Sequence, residues 1–190
     1  VLTFGAEYLY DAVYDEISAY NYLINQNTQD LGLFLQSDWA LLPNLNLLSG
    51  CRVDAHNLVD KLIWSPRVSL LYKLKKNTQF RLSYGTGFRA PQAFDTDLHI
   101  AFAGGGISRV TLAPDLEEEN SESWSASINY DRPFDKFIIG FTLEGFRTNL
   151  KNAFFLQPNG ADDFGLLFEK QNGQGAIVEG LTFELRSNYN

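Results

Sequence analysis

From Thr78 to Phe88 the chain alternates without a break. Thr78, Phe80, Leu82, Tyr84, Thr86 and Phe88 point one way, while Gln79, Arg81, Ser83, Gly85, Gly87 and Arg89 point the other. Only an extended strand puts residues i and i+2 on one side; a helix scatters them around its axis. Ser121 to Asp131 obeys the same rule, with Trp124, Ala126, Ile128 and Tyr130 opposite a serine-rich side. Looser alternation marks further strands around Leu2–Tyr10, Leu31–Leu41, Leu45–Val53, Val68–Leu74, Phe137–Leu143 and Leu181–Tyr189. Phe34 falls out of phase in the second of these. Gly145 shifts the phase near the end of the seventh strand, which suggests a bulge there. The fold class expected is all-β: an antiparallel up-and-down meander of about eight strands.

The links between these strands differ in length. Pro43-Asn44, Lys75-Lys76-Asn77 and the Asp131–Asp135 turn are short. Asp11–Gln29, Ala55–Ser65, Ala90–Asn120 and Lys151–Phe164 are long. In a meander, alternate links lie at opposite ends of the sheet, so short turns collect at one end and long loops at the other. A transmembrane barrel has that asymmetry, with short periplasmic turns and long extracellular loops. A soluble sandwich has no need of it.

Composition narrows the choice. A net charge of −8 argues against nucleic-acid binding, and a single Cys excludes a disulfide framework or a Cys-based zinc cluster. No apolar run is long enough for a membrane helix of about 18 residues or more. Neither an initiator Met nor a signal peptide opens the chain, so an internal segment of something longer is expected. Alternation alone leaves two faces to assign, since the apolar side meets either a protein core or lipid. The polar sides are rich in Ser, Gly, Gln, Asn, Thr and Arg and poor in Lys, which suits a hydrogen-bonded lumen. Aromatic residues near strand ends (Tyr8, Tyr10, Trp39, Trp64, Phe88, Trp124, Tyr130) suit interfacial girdles. A soluble β-sandwich binding module and a passive porin-like channel stay open as alternatives on these grounds.

Ser83-Tyr84-Gly85-Thr86-Gly87-Phe88-Arg89-Ala90-Pro91 resembles the "GFRAP" segment of TonB-dependent outer-membrane receptors, where a strand enters a long loop. Other pieces follow in that family's order. Leu33–Trp39 resembles its "FxQxxW" strand, Gly50–Asp54 its "GxRxD", Pro66–Leu70 its "PRxSL", and Phe146–Ala153 a strand ending in an Asn such as Asn152. Ala113–Ser121 lacks the first Asn and second Pro of "NPxLxPExS", and Gly180-Leu181-Thr182 departs from "GxE". The resemblance implies that residues 1–190 are a slice of a 22-stranded transmembrane barrel whose plug domain and remaining strands are absent from this chain. It implies an outer-membrane location in a Gram-negative bacterium and lipid around the barrel. It also implies a TonB complex reached through the missing N-terminal part, and import of a scarce small-molecule chelate, an iron siderophore or haem. No cofactor, enzymatic activity or nucleic-acid partner is implied.

Candidate ligand contacts are residues expected where strands meet long loops: His56, Arg89, His99 and Arg109. Arg89 has a second reading, a structural fork bonded to barrel carboxylates such as Glu144 or Glu122. The two His are expected to be surface residues rather than metal ligands. Gly85–Ala90 matches a dinucleotide fingerprint in form only, because Pro91 forbids the helix that would hold a pyrophosphate. Gly104-Gly105-Gly106 lacks the Lys and Ser/Thr of a phosphate loop, so a flexible tip is expected. The acids Asp115, Glu117, Glu118, Glu119 and Glu122 lack calcium-loop spacing and read as a solvated edge. No nucleophile–base pair is identifiable.

Overall fold

The structure, a computed structural model, describes residues 1–20, 22–75, 77–92 and 107–189. Eleven strands are present among them: β1 (Leu2–Ile17), β2 (Tyr22–Leu42), β3 (Leu45–His56), β4 (Ile63–Lys75), β5 (Thr78–Arg89), β6 (Ile107–Leu112), β7 (Glu119–Pro133), β8 (Phe137–Lys151), β9 (Phe154–Asp162), β10 (Gly165–Asn172) and β11 (Ala176–Tyr189). Eight form one antiparallel sheet in the order β1-β2-β3-β4-β5-β7-β8-β11. The expected meander is therefore present, with each long-loop excursion returning the chain beside the strand it left.

The expected long loops carry more strand than alternation shows. Asp11–Gln29 is not a loop: β1 and β2 stay paired up to Ile17↔Tyr22, across the short 3-10 turn Ser18–Tyr20. Asn25, Gln26, Asn27 and Thr28 supply no apolar side there, so the periodic signal vanishes although backbone pairing does not. Likewise β6 lies in the Ala90–Asn120 link and β9 in the Lys151–Phe164 link. With β10 they make a second sheet, order β6-β10-β9, in which β6 runs parallel to β10. A parallel pair between segments so far apart in sequence leaves no local signature. Asn152 holds a left-handed φ of 54° between β8 and β9 and turns the chain out of the large sheet into the small one.

Two further expectations are corrected. Gly145 is not a bulge, since β8 keeps an unshifted register through it against both β7 and β11. The phase change arises because Phe146 turns to the polar face and lies over Gly180, while Arg147 rises above the apolar band. Phe34 follows the same logic. It points to the polar face and covers Gly5, where a Cβ would sit 2.6 Å from its ring. Register shifts occur instead at Ala40/Leu42 and Lys73/Lys75, beside the short turns.

Among the described residues, no second layer covers the apolar face of the large sheet. On interior strands of the sheet, Leu35, Trp64, Leu82 and Trp124 are 54%, 64%, 49% and 50% exposed. The few buried apolar residues, Tyr22, Ile24, Ile63, Ala90 and Ala113, cluster at the long-loop end. That excludes the soluble sandwich, which needs two sheets closed on a dry interior. An apolar face this extensive is stable only against lipid.

Candidate functional site

The polar face is organised by cross-strand charge. Glu7 faces Gly32, Gly32 faces Asp54 and Phe34 faces Arg52 across the β1–β2 and β2–β3 ladders. Arg52 reaches across this patch. Its Nε donates to Asp54 Oδ1 at 2.6 Å and its Nη1 to Glu7 Oε2 at 2.7 Å, with Asp30 Oδ2 at 3.7 Å. Gly32 is needed beneath it: a Cβ there would stand 2.2 Å from Arg52 Nη2. Asp54 is 1% exposed, the most buried side chain described. A buried carboxylate needs such a partner.

Beyond this patch, at the long-loop end, lies a cavity of about 370 Å³. Leu9, Asp30, His56, Phe88, Arg89 and Gln92 are among its lining residues. His56 faces Asp30 across the β2–β3 ladder. Its Nδ1 accepts the Leu58 N–H at 3.1 Å, which leaves Nε2 as the donor when the ring is neutral. Its ring meets Phe88 edge to face. Two of the four expected contacts, His56 and Arg89, are thus brought together although far apart in sequence.

Arg89 also acts as a fork, but with a different acid from those expected. It pairs with Glu119 at 3.4 Å, not with Glu122 or Glu144. Glu119 is its direct partner in the β5–β7 ladder, whereas Glu122 faces Thr86 and so sits on the other side of the sheet. Glu144 lies several rows away, in register with Ser127.

The small sheet is fastened over this end by polar contacts that sequence reasoning did not identify. Glu119 Oε2 also accepts the Phe154 N–H at 2.9 Å. The Phe154 ring is approached by two cations, Arg89 at 4.8 Å and Lys170 at 4.5 Å. Lys170, 3% exposed, donates to the Gln92 carbonyl at 3.2 Å. Asn172 holds both the N–H and the carbonyl of Glu117. Arg109 pairs with Asp162, donates to the Tyr20 carbonyl at 3.0 Å and stands over Phe164 at 5.5 Å. It is 8% exposed and joins the small sheet to the β1–β2 tip. Lys61, on the β3–β4 link, grips the buried Glu118 at 2.7 Å. The acids at 115–122 are therefore not merely a solvated edge.

Two carboxyls of this fastening titrate low. Arg109's hydrogen bond holds Asp162 below the usual carboxylate range. Burial pushes Glu118 up, but hydrogen bonds from Lys61 and Asn120 outweigh it and leave that carboxyl lowered. His99 and Gly104–Gly106 lie outside the described residues. Only the Arg52–Asp54 contact carries a sequence signal: the two residues share a face by parity within Gly50–Asp54. Lys170 and Asp162 carry no such signal.

A single antiparallel layer with a lipid-suited outer face, a charged inner face and its loops gathered at one end is the wall of a transmembrane β-barrel. The family described as TonB dependent receptor-like, beta-barrel matches residues 1–190, and the chain belongs to it. An iron-regulated outer membrane virulence protein of Vibrio cholerae is 31% identical over 134 residues, covering 68% of this chain and 20% of the relative. The siderophore receptor PirA of Pseudomonas aeruginosa shares the fold with a TM-score of 0.78 at 21% identity, over 97% of this chain and 35% of that one. The haemophore receptor HasR of Serratia marcescens gives 0.71 at 16% identity, over 100% and 36%. The chain thus spans about a fifth of the curated relative's length. Its place is the outer membrane of a Gram-negative cell, in a family of receptors and transporters rather than enzymes.

Proposed function

We propose that this chain is part of the barrel wall of a TonB-energised importer of a scarce iron chelate, a siderophore or haem. The observation that carries the reading is the cavity at the loop end, which His56 and Arg89 both line. Polar, charged and aromatic groups converge there, and the cavity faces the side from which a ligand arrives. Arg89 would contact an anionic chelate, and His56 Nε2 would donate a hydrogen bond. Arg109, held by Asp162 and Tyr20, would position the loops rather than touch ligand. His99 is retained as a loop contact from its place in the chain. The iron-regulated relative and the siderophore and haemophore receptors named above support an iron chelate as cargo. TonB would engage a part of the protein outside this chain.

The test is uptake of radioiron-labelled siderophore, and of haem, by cells whose sole copy of the full-length receptor lacks residues 107–112 and 154–172. Uptake should fall to the level of a receptor-null strain. It should fall equally when TonB is removed from cells with the intact receptor. Unchanged uptake after the loop deletion would overturn the role of the loop end in ligand capture. Uptake indifferent to TonB would favour a passive channel.

A further inference from the structure

The outward face is not evenly covered. In one row across four strands, Leu82 faces Ala126, Ala126 faces Gly145 and Gly145 faces Leu181. Ala126 and Gly145 are small, so the wall is notched between two leucines. The next row toward the short turns is bulky, with Phe80, Ile128, Leu143 and Phe183 in register. The next row toward the loops holds Tyr84, Trp124, Arg147 and Glu179. Two shallow, open depressions, of about 440 and 620 Å³, share Leu82, Ala126 and Gly145 and together form one groove along the wall. The lower part is lined by Tyr72, Phe80, Ile128 and Leu143, and the upper part reaches Trp124, Arg147 and Glu179. The groove is empty rather than pre-filled: a Cβ on Gly145 would meet nothing nearer than Leu181 Cδ1 at 3.8 Å.

We propose that this groove is a lipid-binding site of the outer leaflet, taking one acyl chain in the notch and a phosphate-bearing head group on Arg147. Depth supports the assignment. Trp124 packs on Tyr84 with ring centroids 4.6 Å apart, and such amphipathic rings mark the membrane–water boundary. Arg147 stands in that same row, at the height where head-group phosphates lie, on the loop side of the band. A cation on a lipid-facing wall is costly at mid-depth and tolerated near the interface, where phosphate complements it. Its partner Glu179 is 3.6 Å away and both side chains are about two-thirds exposed, at 63% and 66%. At 3.6 Å Glu179 is beyond hydrogen-bond reach, so the guanidinium keeps N–H donors for a phosphate. The occupant is a membrane lipid because the groove lies on the apolar face of the wall, the face suited to the bilayer.

The experiment uses the full-length receptor in detergent, titrated with lipid A and with an uncharged diacylglycerol, and counts bound lipid by native mass spectrometry. Arg147→Gln should lower lipid A occupancy about fivefold, the value of one basic residue near a phosphate-rich surface, and leave diacylglycerol unchanged. Gly145→Leu, which fills the notch, should lower both; Ala126→Leu is the second variant if the first fails to assemble. Heat-modifiable migration on gels and iron uptake should stay at the parent level in all three. Equal lipid A occupancy in parent and Arg147→Gln would overturn the head-group assignment. Undiminished binding of both lipids in Gly145→Leu and Ala126→Leu would overturn the groove.

Discussion

Replacing Arg52 by Met keeps the aliphatic stem and removes the cation from beneath three carboxylates. The largest consequence falls on Asp54, whose carboxylate is 1% exposed and takes the Arg52 Nε–H at 2.6 Å. Removing one partner of a buried pair costs about 3–5 kcal/mol, since the other charge is left unpaired. Water reduces that here, because the Arg52 side chain is 31% exposed. The arm to Glu7, itself 49% exposed, adds only about 0–1 kcal/mol. Asp30, at 3.7 Å, is beyond hydrogen-bond reach and adds through-space attraction alone. The expected loss is about 2–4 kcal/mol. It would be read from denaturant unfolding of the full-length receptor in detergent, followed by heat-modifiable gel mobility. Adding Asp54→Asn removes the orphaned charge and should recover part of the loss, with a coupling of about 1–3 kcal/mol. Gly32→Ala pushes the guanidinium aside and should act in the same direction, less strongly. If Arg52→Met unfolds at the parent's denaturant concentration, or if Asp54→Asn recovers nothing, the polar patch is not held in the way described.

Other measurements bear on other parts of the molecule. Asp162 and Glu118 titrate below their ordinary range, so their ion pairs stabilise the folded loops above about pH 4 and are lost as pH falls through the lowered values. Hydrogen-exchange protection of β9 and β10, corrected for intrinsic rates, should therefore collapse at acid pH and stay flat between about pH 6 and 8; protection unchanged at pH 3 would contradict this. Trp39, Trp64 and Trp124 all project from the outward face, at 56%, 64% and 50% exposure. Receptor variants keeping one of these Trp as the sole tryptophan should be quenched by brominated acyl chains; an unquenched Trp39 would reverse the assignment of faces. Gly180→Val puts a Cβ about where the Phe146 ring lies, at 2.7 Å, and should destabilise the barrel by about 1–3 kcal/mol. Phe146→Ala in the same chain should relieve most of that in the same unfolding assay.

The alternation in Thr78–Phe88 and Ser121–Asp131 determined the strands, their faces and the end at which the loops gather. Side-chain period is a local property, and a buried or lipid-bathed face writes it directly into the chain. The same signal failed at Asn25–Thr28 and in β6, β9 and β10. Strands outside the membrane band have no greasy face to encode. Phe34 and Gly145 looked like faults because their reasons lie on neighbouring strands, in Gly5 and Gly180. His56 and Arg89 were legible as separate residues at loop entrances, and Arg52 and Asp54 as residues sharing a face. Their convergence was not legible, nor was the choice of Glu119 over Glu122 for Arg89. Sheet register decided those, together with the buried anchors Lys170, Arg109 and Glu118. Register joins residues dozens of positions apart, a distance over which a one-dimensional pattern of polarity carries no pairing information.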